Sequence, residues 1–467
     1  MSKNHHLPLV AIVGQPNAGK STLLNKISGR QSAITSELAG TTRDRQYIDT
    51  AWNGVEFTLV DTAGLAVGGD QALELSLLKQ IDIAVEQADV VMFIADGKEP
   101  VGAVNKQALK KFRNSKKPML LVVNKLDSPK TRDEKVGPFT RLGIKPIFAV
   151  SAVSGLGMGD MLDFVVEAAA KACPQEEKDE NAVAAPMPIA VSIVGKPNVG
   201  KSSIFNAILK EERVVVSPIP GTTRTAIDSE IQIDGQDYTF IDTAGLKKKE
   251  HRQARPDIFA GFQTFKAIRR SDICFFVIDA NEEITKQDQR VANEIFAMDK
   301  GCIILVNKMD MYTKDNRGKK GGNFDDRGKS DDQYQTLRDY ISHHFSFLWM
   351  CPAFFVSATT GEGLEEALSA IKKIFEDRHK VIDDETLKTF LAKKLKINPP
   401  KLLRDQREPK VYALRQLDTN PPLFELLVNR PGAISTQFRK FLENAIIKDL
   451  GFWGSPITLK LRGKDKT

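Results

Sequence analysis

Two stretches of eight residues have the types and spacing to do chemistry on a phosphate. They are Gly14-Gln15-Pro16-Asn17-Ala18-Gly19-Lys20-Ser21 and Gly195-Lys196-Pro197-Asn198-Val199-Gly200-Lys201-Ser202. Both fit G-x-x-x-x-G-K-[ST], in which glycines let the backbone turn its N–H groups inward around an anion. In that arrangement Lys20 and Lys201 reach the outer phosphates of a nucleotide, and the hydroxyls of Ser21 and Ser202 hold magnesium. An apolar run precedes each loop, residues 9–13 and 189–194, and a helix-compatible stretch follows, residues 21–27 and 202–209. Strand, loop, helix is the context the motif requires.

Three more motifs occur twice in the same order. The sequence GTTR at residues 40–43 and 221–224 offers Thr42 and Thr223 as further magnesium ligands in a triphosphate state. Asp61-Thr62-Ala63-Gly64-Leu65 and Asp242-Thr243-Ala244-Gly245-Leu246 each begin with a carboxylate suited to organise magnesium. The N–H of Gly64 or Gly245 can sense a terminal phosphate, which makes a switch. Asn124-Lys125-Leu126-Asp127 and Asn307-Lys308-Met309-Asp310 separate guanine from adenine. A buried carboxylate of Asp127 or Asp310 accepts both the ring N1–H and the exocyclic amino group of guanine, and adenine has no such donor pair. The asparagines tie this loop to the phosphate loop, and the lysine stems lie along the purine face. The N–H groups of Ala152 and Ala358, in Ser151-Ala152 and Ser357-Ala358, suit the guanine carbonyl. The catalytic candidates are Lys20, Thr42 and Gly64 in one copy, and Lys201, Thr223 and Gly245 in the other. Where a glutamine can orient the attacking water, this chain has Leu65 and Leu246. Leucine cannot do that work. Asn17 and Asn198 instead offer amide oxygens for a monovalent cation, potassium, beside the phosphates.

The elements that position these groups are repeated as a whole domain. The loops, GTTR and DTAG recur at an offset of 181, the N-K-x-D motif at 183 and Ser151/Ser357 at 206. Strands are expected at residues 9–13, 57–60, 90–95, 119–123 and 147–150, with helices between them, such as that carrying Met158, Met161, Leu162 and Val165. Alternation of this kind predicts an α/β fold, a mostly parallel sheet with helices on both faces and ligands at the carboxyl ends of strands. The expected organisation is a first domain over residues 1–174, an acidic linker over 175–187, a second copy over 188–379 and a small α+β domain over 380–467. Residues 313–332, almost wholly charged, Gly and Asn, read as a disordered surface loop in the second copy. In the last segment, helices are expected at residues 382–395 and 435–450, and strands at 411–417, 423–428 and 457–461. Residues 451–454 read as a turn with a packed Trp453.

Charge divides unevenly. Residues 380–467 carry 18 Lys plus Arg against 10 Asp plus Glu, a net +8, while the remainder sums to −1. The positive excess at one end implies a polyanionic partner there. The four cysteines, Cys173, Cys274, Cys302 and Cys351, form no C-x-x-C pair and fit a reducing compartment. No apolar run approaches the roughly 20 residues of a membrane span, so a cytoplasmic protein with no membrane partner is expected.

These motifs in this order resemble the Era type of translation-factor-related GTPases. The tandem duplication followed by a basic domain resembles the Der (EngA) family closely. The likeness extends to TNPP at residues 419–422, the FRKFLENAI stretch beginning at Phe438 and GFWGSPI at residues 451–457. The resemblance implies two Era-like G domains packed on a KH-like domain, with GTP and GDP, magnesium and potassium as ligands. It also implies potassium-stimulated hydrolysis by a monomer that acts on the large ribosomal subunit and its rRNA. Three features depart from the family pattern. Asp44 follows GTTR in the first copy but Thr225 in the second, Ala63 stands where many members show a second glycine, and the tail lacks the G-x-x-G loop between helices with which KH domains clamp RNA.

Overall fold

The computed structural model describes residues 7–14, 17–29, 47–61, 88–99, 117–128, 132–172, 188–211, 214–216, 228–243, 257–312, 331–400 and 409–463. The chain forms two compact units that part between residues 182 and 183.

The first unit is built on one sheet of β1 (Leu9–Gly14), β2 (Tyr47–Trp52), β3 (Val55–Asp61), β4 (Val90–Asp96), β5 (Met119–Asn124) and β6 (Ile147–Ala149), in the order β2-β3-β1-β4-β5-β6. All neighbours are parallel except β2 against β3. Every residue of β1 is buried, as a central strand covered on both faces requires. Helices Lys20–Gly29 and Met158–Ala172 cover one face, with Leu23, Ile27, Met161 and Val165 against Val10, Ile12 and Leu59. On the other face Phe139, Leu142 and Ile144 lie against Ala11, Val13 and Phe93.

The second unit opens with the same architecture. Its strands are β7 (Ile189–Val194), β8 (Val214–Val216), β9 (Ser229–Ile233), β10 (Gln236–Ile241), β11 (Ile273–Asp279), β12 (Gly301–Asn307) and β13 (Ala353–Phe355), ordered β13-β12-β11-β7-β10-β9-β8. The antiparallel edge in each unit was not among the expected strands. Its sequence signal is the two-residue turn, Asn53-Gly54 and Asp234-Gly235, with positive φ at both positions. Helices Lys201–Ile208 and Leu364–Arg378 pack on one face of this sheet. Helices Asp257–Arg270, Lys286–Ala297 and Asp331–His344 cover the other. The last of these corrects the loop expected over residues 313–332, because helix begins at Asp331. Residues 313–330 lie outside the described residues.

A second, smaller sheet follows in the same unit. It comprises β14 (Val411–Thr419), β15 (Pro422–Val428) and β16 (Thr458–Gly463), with β15 central, antiparallel to β14 and parallel to β16. Helices Asp384–Ile397 and Thr436–Leu450 cover one face. Asp383 and Ser435 cap them, accepting from the Thr386 and Phe438 N–H groups at 2.8 and 3.1 Å.

This C-terminal core is not self-contained. Met350, from the second α/β domain, is buried in the same core as Phe424, Leu442 and Phe452, and Phe296 packs against both cores. The turn at residues 451–454 joins the two. The carbonyl of Gly454 accepts the Cys302 N–H, and its own N–H donates to the Met350 carbonyl, both at 2.9 Å. Phe452, not Trp453, is the fully buried aromatic of the turn, edge-on to Phe424. Trp453 is half-buried against the core of the second α/β domain, with the Lys373 ammonium 4.4 Å from its ring centre.

Candidate active site

Each phosphate loop leaves the carboxyl end of a central strand and enters a helix at its lysine. Gly14 has φ 155°, and a Cβ there would lie 2.2 Å from the Ile94 carbonyl oxygen; Gly195 stands likewise against Val277. Only glycine lets the loop pass that close to the neighbouring strand. Lys20 and Lys201 fold back to donate to the carbonyls of Gly14 and Gly195, both at 2.8 Å, and Lys201 also donates to the Lys196 carbonyl at 2.7 Å. Burial lowers both lysine pKa values, Lys201 to about 8, with Asp61 and Asp288 opposing the shift in their respective domains.

The base loop is fastened to the phosphate loop by asparagine. Asn124, almost fully buried, donates through Nδ2 to the Ala18 carbonyl (2.9 Å) and accepts through Oδ1 from the Ala152 N–H (3.0 Å). Asn307 repeats this with the Val199 carbonyl (2.8 Å) and the Ala358 N–H (3.1 Å). Gly19 and Gly200 make room for it, since a Cβ on either would sit 2.3 and 2.2 Å from the asparagine Nδ2. One amide therefore joins three loops. The N–H groups of Ala152 and Ala358, expected to meet a base, are donated to asparagine in this structure.

Asp127 and Asp310 are both exposed in this structure. Each is oriented by a serine hydroxyl, Ser151 on Asp127 Oδ1 and Ser357 on Asp310 Oδ1, both at 2.8 Å. The Ser151 hydrogen bond and the nearby Lys98 ammonium lower the pKa of Asp127. Leu126 is buried in the first core, and Met309 packs against the second, so these motif residues serve packing. Ala18 and Val199 do the same from the phosphate loops.

Lys125 and Lys308 hold left-handed backbone angles of 67° and 65°. Their ammonium groups pair with Asp96 and Asp279 Oδ2 at 2.6 Å in both domains. These two aspartates were not among the candidates. The signal for them was present, because strands ending in Asp recur at the 183 offset of the N-K-x-D motif.

The magnesium candidates differ between domains. Ser21 Oγ lies 3.4 Å from Asp61 Oδ2, which sets two hard oxygen donors side by side at the lysine loop. In the second copy Asp242 takes φ 56°, and its N–H donates to Asp228 Oδ1 at 3.0 Å. Asp228 is in turn paired with Arg270. The Thr243 hydroxyl is buried against Ser229 Oγ at 2.7 Å. Asn17 and Asn198 are exposed, with φ 61° and 66°. That left-handed turn is itself a conformational reason for asparagine. Pro197 is exposed beside Asn198. Gln15, Pro16, Thr42, Asp44, Thr62, Ala63, Gly64, Leu65, Thr223, Thr225, Ala244, Gly245, Leu246 and Cys173 lie outside the described residues.

Two mixed sheets, each with a phosphate loop fastened to a guanine-type base loop, define a tandem P-loop GTPase. Residues 9–125 and 190–308 match the family model described as 50S ribosome-binding GTPase, and residues 382–462 match the KH-domain-like C-terminal domain of EngA bacterial GTPases. GTPase Der of Clostridium acetobutylicum is 36% identical over 452 residues, spanning 97% of this chain and 98% of the relative. GTPase Der of Clostridium kluyveri is 35% identical over 455 residues, with the same coverage. The chain belongs to the GTPase Der (EngA) family.

Proposed function

We propose that this chain is a GTP-hydrolysing switch of the cytoplasm that acts, as a monomer, in assembly of the large ribosomal subunit. On this reading residues 1–174 and 188–379 each take GTP, the segment 175–187 links them, and residues 380–467 meet rRNA. The observation that carries the nucleotide reading is the asparagine staple made identically in both copies, which fixes a base-reading loop against a phosphate loop. Ser21, Asp61 and Thr42 would hold magnesium in the first site, and Ser202, Asp242 and Thr223 in the second. Magnesium supplies charge to the phosphate oxygens. The lysines bind the phosphates, Asp127 and Asp310 bind guanine, and the N–H groups of Gly64 and Gly245 register the terminal phosphate.

Leucine at positions 65 and 246 cannot orient an attacking water, which favours stabilising charge from another source. We assign Asn17 and Asn198 as potassium ligands, on the chemistry of their exposed amide oxygens beside the loop. Replacing potassium by sodium at equal ionic strength should then lower turnover by about 10²–10³, the usual loss for one well-placed electrostatic stabiliser. Steady-state phosphate release in the two salts measures this, and equal rates would remove the assignment.

The rRNA-facing surface we assign to the face of the small sheet opposite its helices, where Arg415, Lys460 and Arg462 are exposed. Arg415 and Lys460 lie in one cross-strand row through Glu425. Cutting the chain at His379 is a poor test, because it would strip the cover from Met350 and Phe296. The better test is sedimentation of Arg415→Glu/Lys460→Glu with large ribosomal subunits, with GDP or a non-hydrolysable GTP analogue, across a salt series. We expect the parent chain to bind with the analogue, the variant to bind more weakly, and its affinity to fall less steeply with salt. Unchanged binding by the variant would move the contact to the G domains.

A further inference from the structure

The second phosphate loop is held by a charge pair that the nucleotide reading does not use. Lys196 follows the first glycine of the loop, yet its side chain is only 10% exposed. Its ammonium lies 2.8 Å from Glu282 Oε2, 3.4 Å from Asp288 Oδ2 and 3.4 Å from the Glu283 carbonyl. The carbonyl of the same residue accepts the Lys201 ammonium at 2.7 Å. One residue thus connects the phosphate-binding lysine to a segment some ninety positions away.

Asp288 is anchored in return. It is the third residue of helix Lys286–Ala297 and forms a reciprocal cap with Thr285, its Oδ2 accepting from the Thr285 N–H at 2.8 Å and hydroxyl at 2.7 Å. Its other oxygen, Oδ1, is buried without a hydrogen-bond partner among the described residues. A carboxylate oxygen in that state is costly unless the charge has work to do. The helix it caps is fixed at its far end, where Phe296 enters the C-terminal core and Asp299 Oδ2 accepts the Thr458 hydroxyl at 2.8 Å. In the first repeat the corresponding residues are Gln15 and Asn105, neither charged.

We propose that Lys196 and Asp288 are positioning residues of the second site, a charge latch that holds the loop carbonyls, and through them Lys201, in place before nucleotide arrives. This rests on the nucleotide reading above only for its consequence, not for the latch itself. The first repeat, with Gln15 and Asn105, carries no charge at these positions, so pre-ordering by this pair is specific to the second site.

The test is amide hydrogen exchange on the full chain, read separately for peptides covering residues 14–29 and 195–209, with and without GDP. The variants are Lys196→Gln, Asp288→Asn, the double variant with both changes, and Lys196→Arg. Without nucleotide, Lys196→Gln should speed exchange in residues 195–209 about tenfold by stranding the buried Asp288 carboxylate, and Asp288→Asn should speed it less, because Glu282 still pairs with Lys196. Residues 14–29 and the central strand β11 should be unchanged. The double variant should exchange less than the product of the two singles predicts, and Lys196→Arg should restore protection. Wild-type exchange in both single variants overturns the latch, as does a loss spread evenly over β11, which would mark a merely structural role. Failure of GDP to protect either loop in the parent chain would instead refute the nucleotide reading and leave the latch to be judged on the nucleotide-free data.

Discussion

Asp127→Asn and Asp310→Asn should each abolish useful GTP binding at one site and create binding of xanthosine triphosphate there. A carboxylate that accepts from both guanine donors makes two charge-assisted hydrogen bonds, each contributing about 1.5–3 kcal/mol. Asparagine keeps one acceptor and sets a donor against a donor. The expected loss is therefore about 3–6 kcal/mol, or roughly 10²–10⁴ in affinity. Xanthine carries a carbonyl where guanine carries its amino group, so it meets the new donor. The serine hydroxyls that hold Asp127 and Asp310 at 2.8 Å remain able to orient an amide oxygen, which favours a switch of preference over collapse of the loop. Titration calorimetry with both nucleotides, resolved into two sites, gives the answer. Undiminished GTP affinity in either variant would show that the base is read elsewhere in that domain.

Arg378→Met should destabilise the second unit by about 3–5 kcal/mol, the usual cost of breaking a buried ionic network from one side. Arg378 is 2% exposed at the end of helix Leu364–Arg378. Its Nη1 donates to Ser455 Oγ at 2.6 Å, while Nε and Nη2 donate to Asn420 Oδ1 at 3.2 and 2.7 Å. Burial lowers its pKa, and the carboxylates of Asp272 and Asp299 hold it charged. Both acids also brace the interface. Asp272 accepts the Ala190 N–H at the head of β7 and, at 3.4 Å, the Asn420 amide; Asp299 accepts Thr458. Methionine fills much of the volume but leaves those acids only the neighbouring Lys300 as a cation. Denaturant unfolding should show a lowered transition for the second unit and an unmoved one for the first. A shift under about 1 kcal/mol would mean that the apolar contacts of Met350 and Phe452 hold the two domains together without the network.

The candidate base-reading and phosphate-binding positions could be named from sequence because their signals are local. A phosphate loop is eight contiguous residues between a strand and a helix, and the backbone there is dictated by its own glycines. Repetition, at an offset of 181 for the first three motifs and 206 by the last, implied two copies with the motifs in one order. The basic end of the chain was equally plain, since charge is additive along a sequence. The antiparallel edges were within reach too, marked by Asn53-Gly54 and Asp234-Gly235.

Tertiary structure alone decided what the motif residues touch. That Asn124 and Asn307 staple three loops, and that the Ala152 and Ala358 N–H groups are given to them, depends on β5 and β12 lying beside the phosphate-loop strands' neighbours in one register. The Lys196–Asp288 latch joins residues from separate elements, and no periodicity marks it. The shared core was hidden for the same reason. Met350, Phe296 and Arg378 read as ordinary residues of the second G domain, and only packing shows that they belong equally to the C-terminal one. Apolar burial is non-directional, so a sequence tells which side chains must leave water but not which neighbour will cover them.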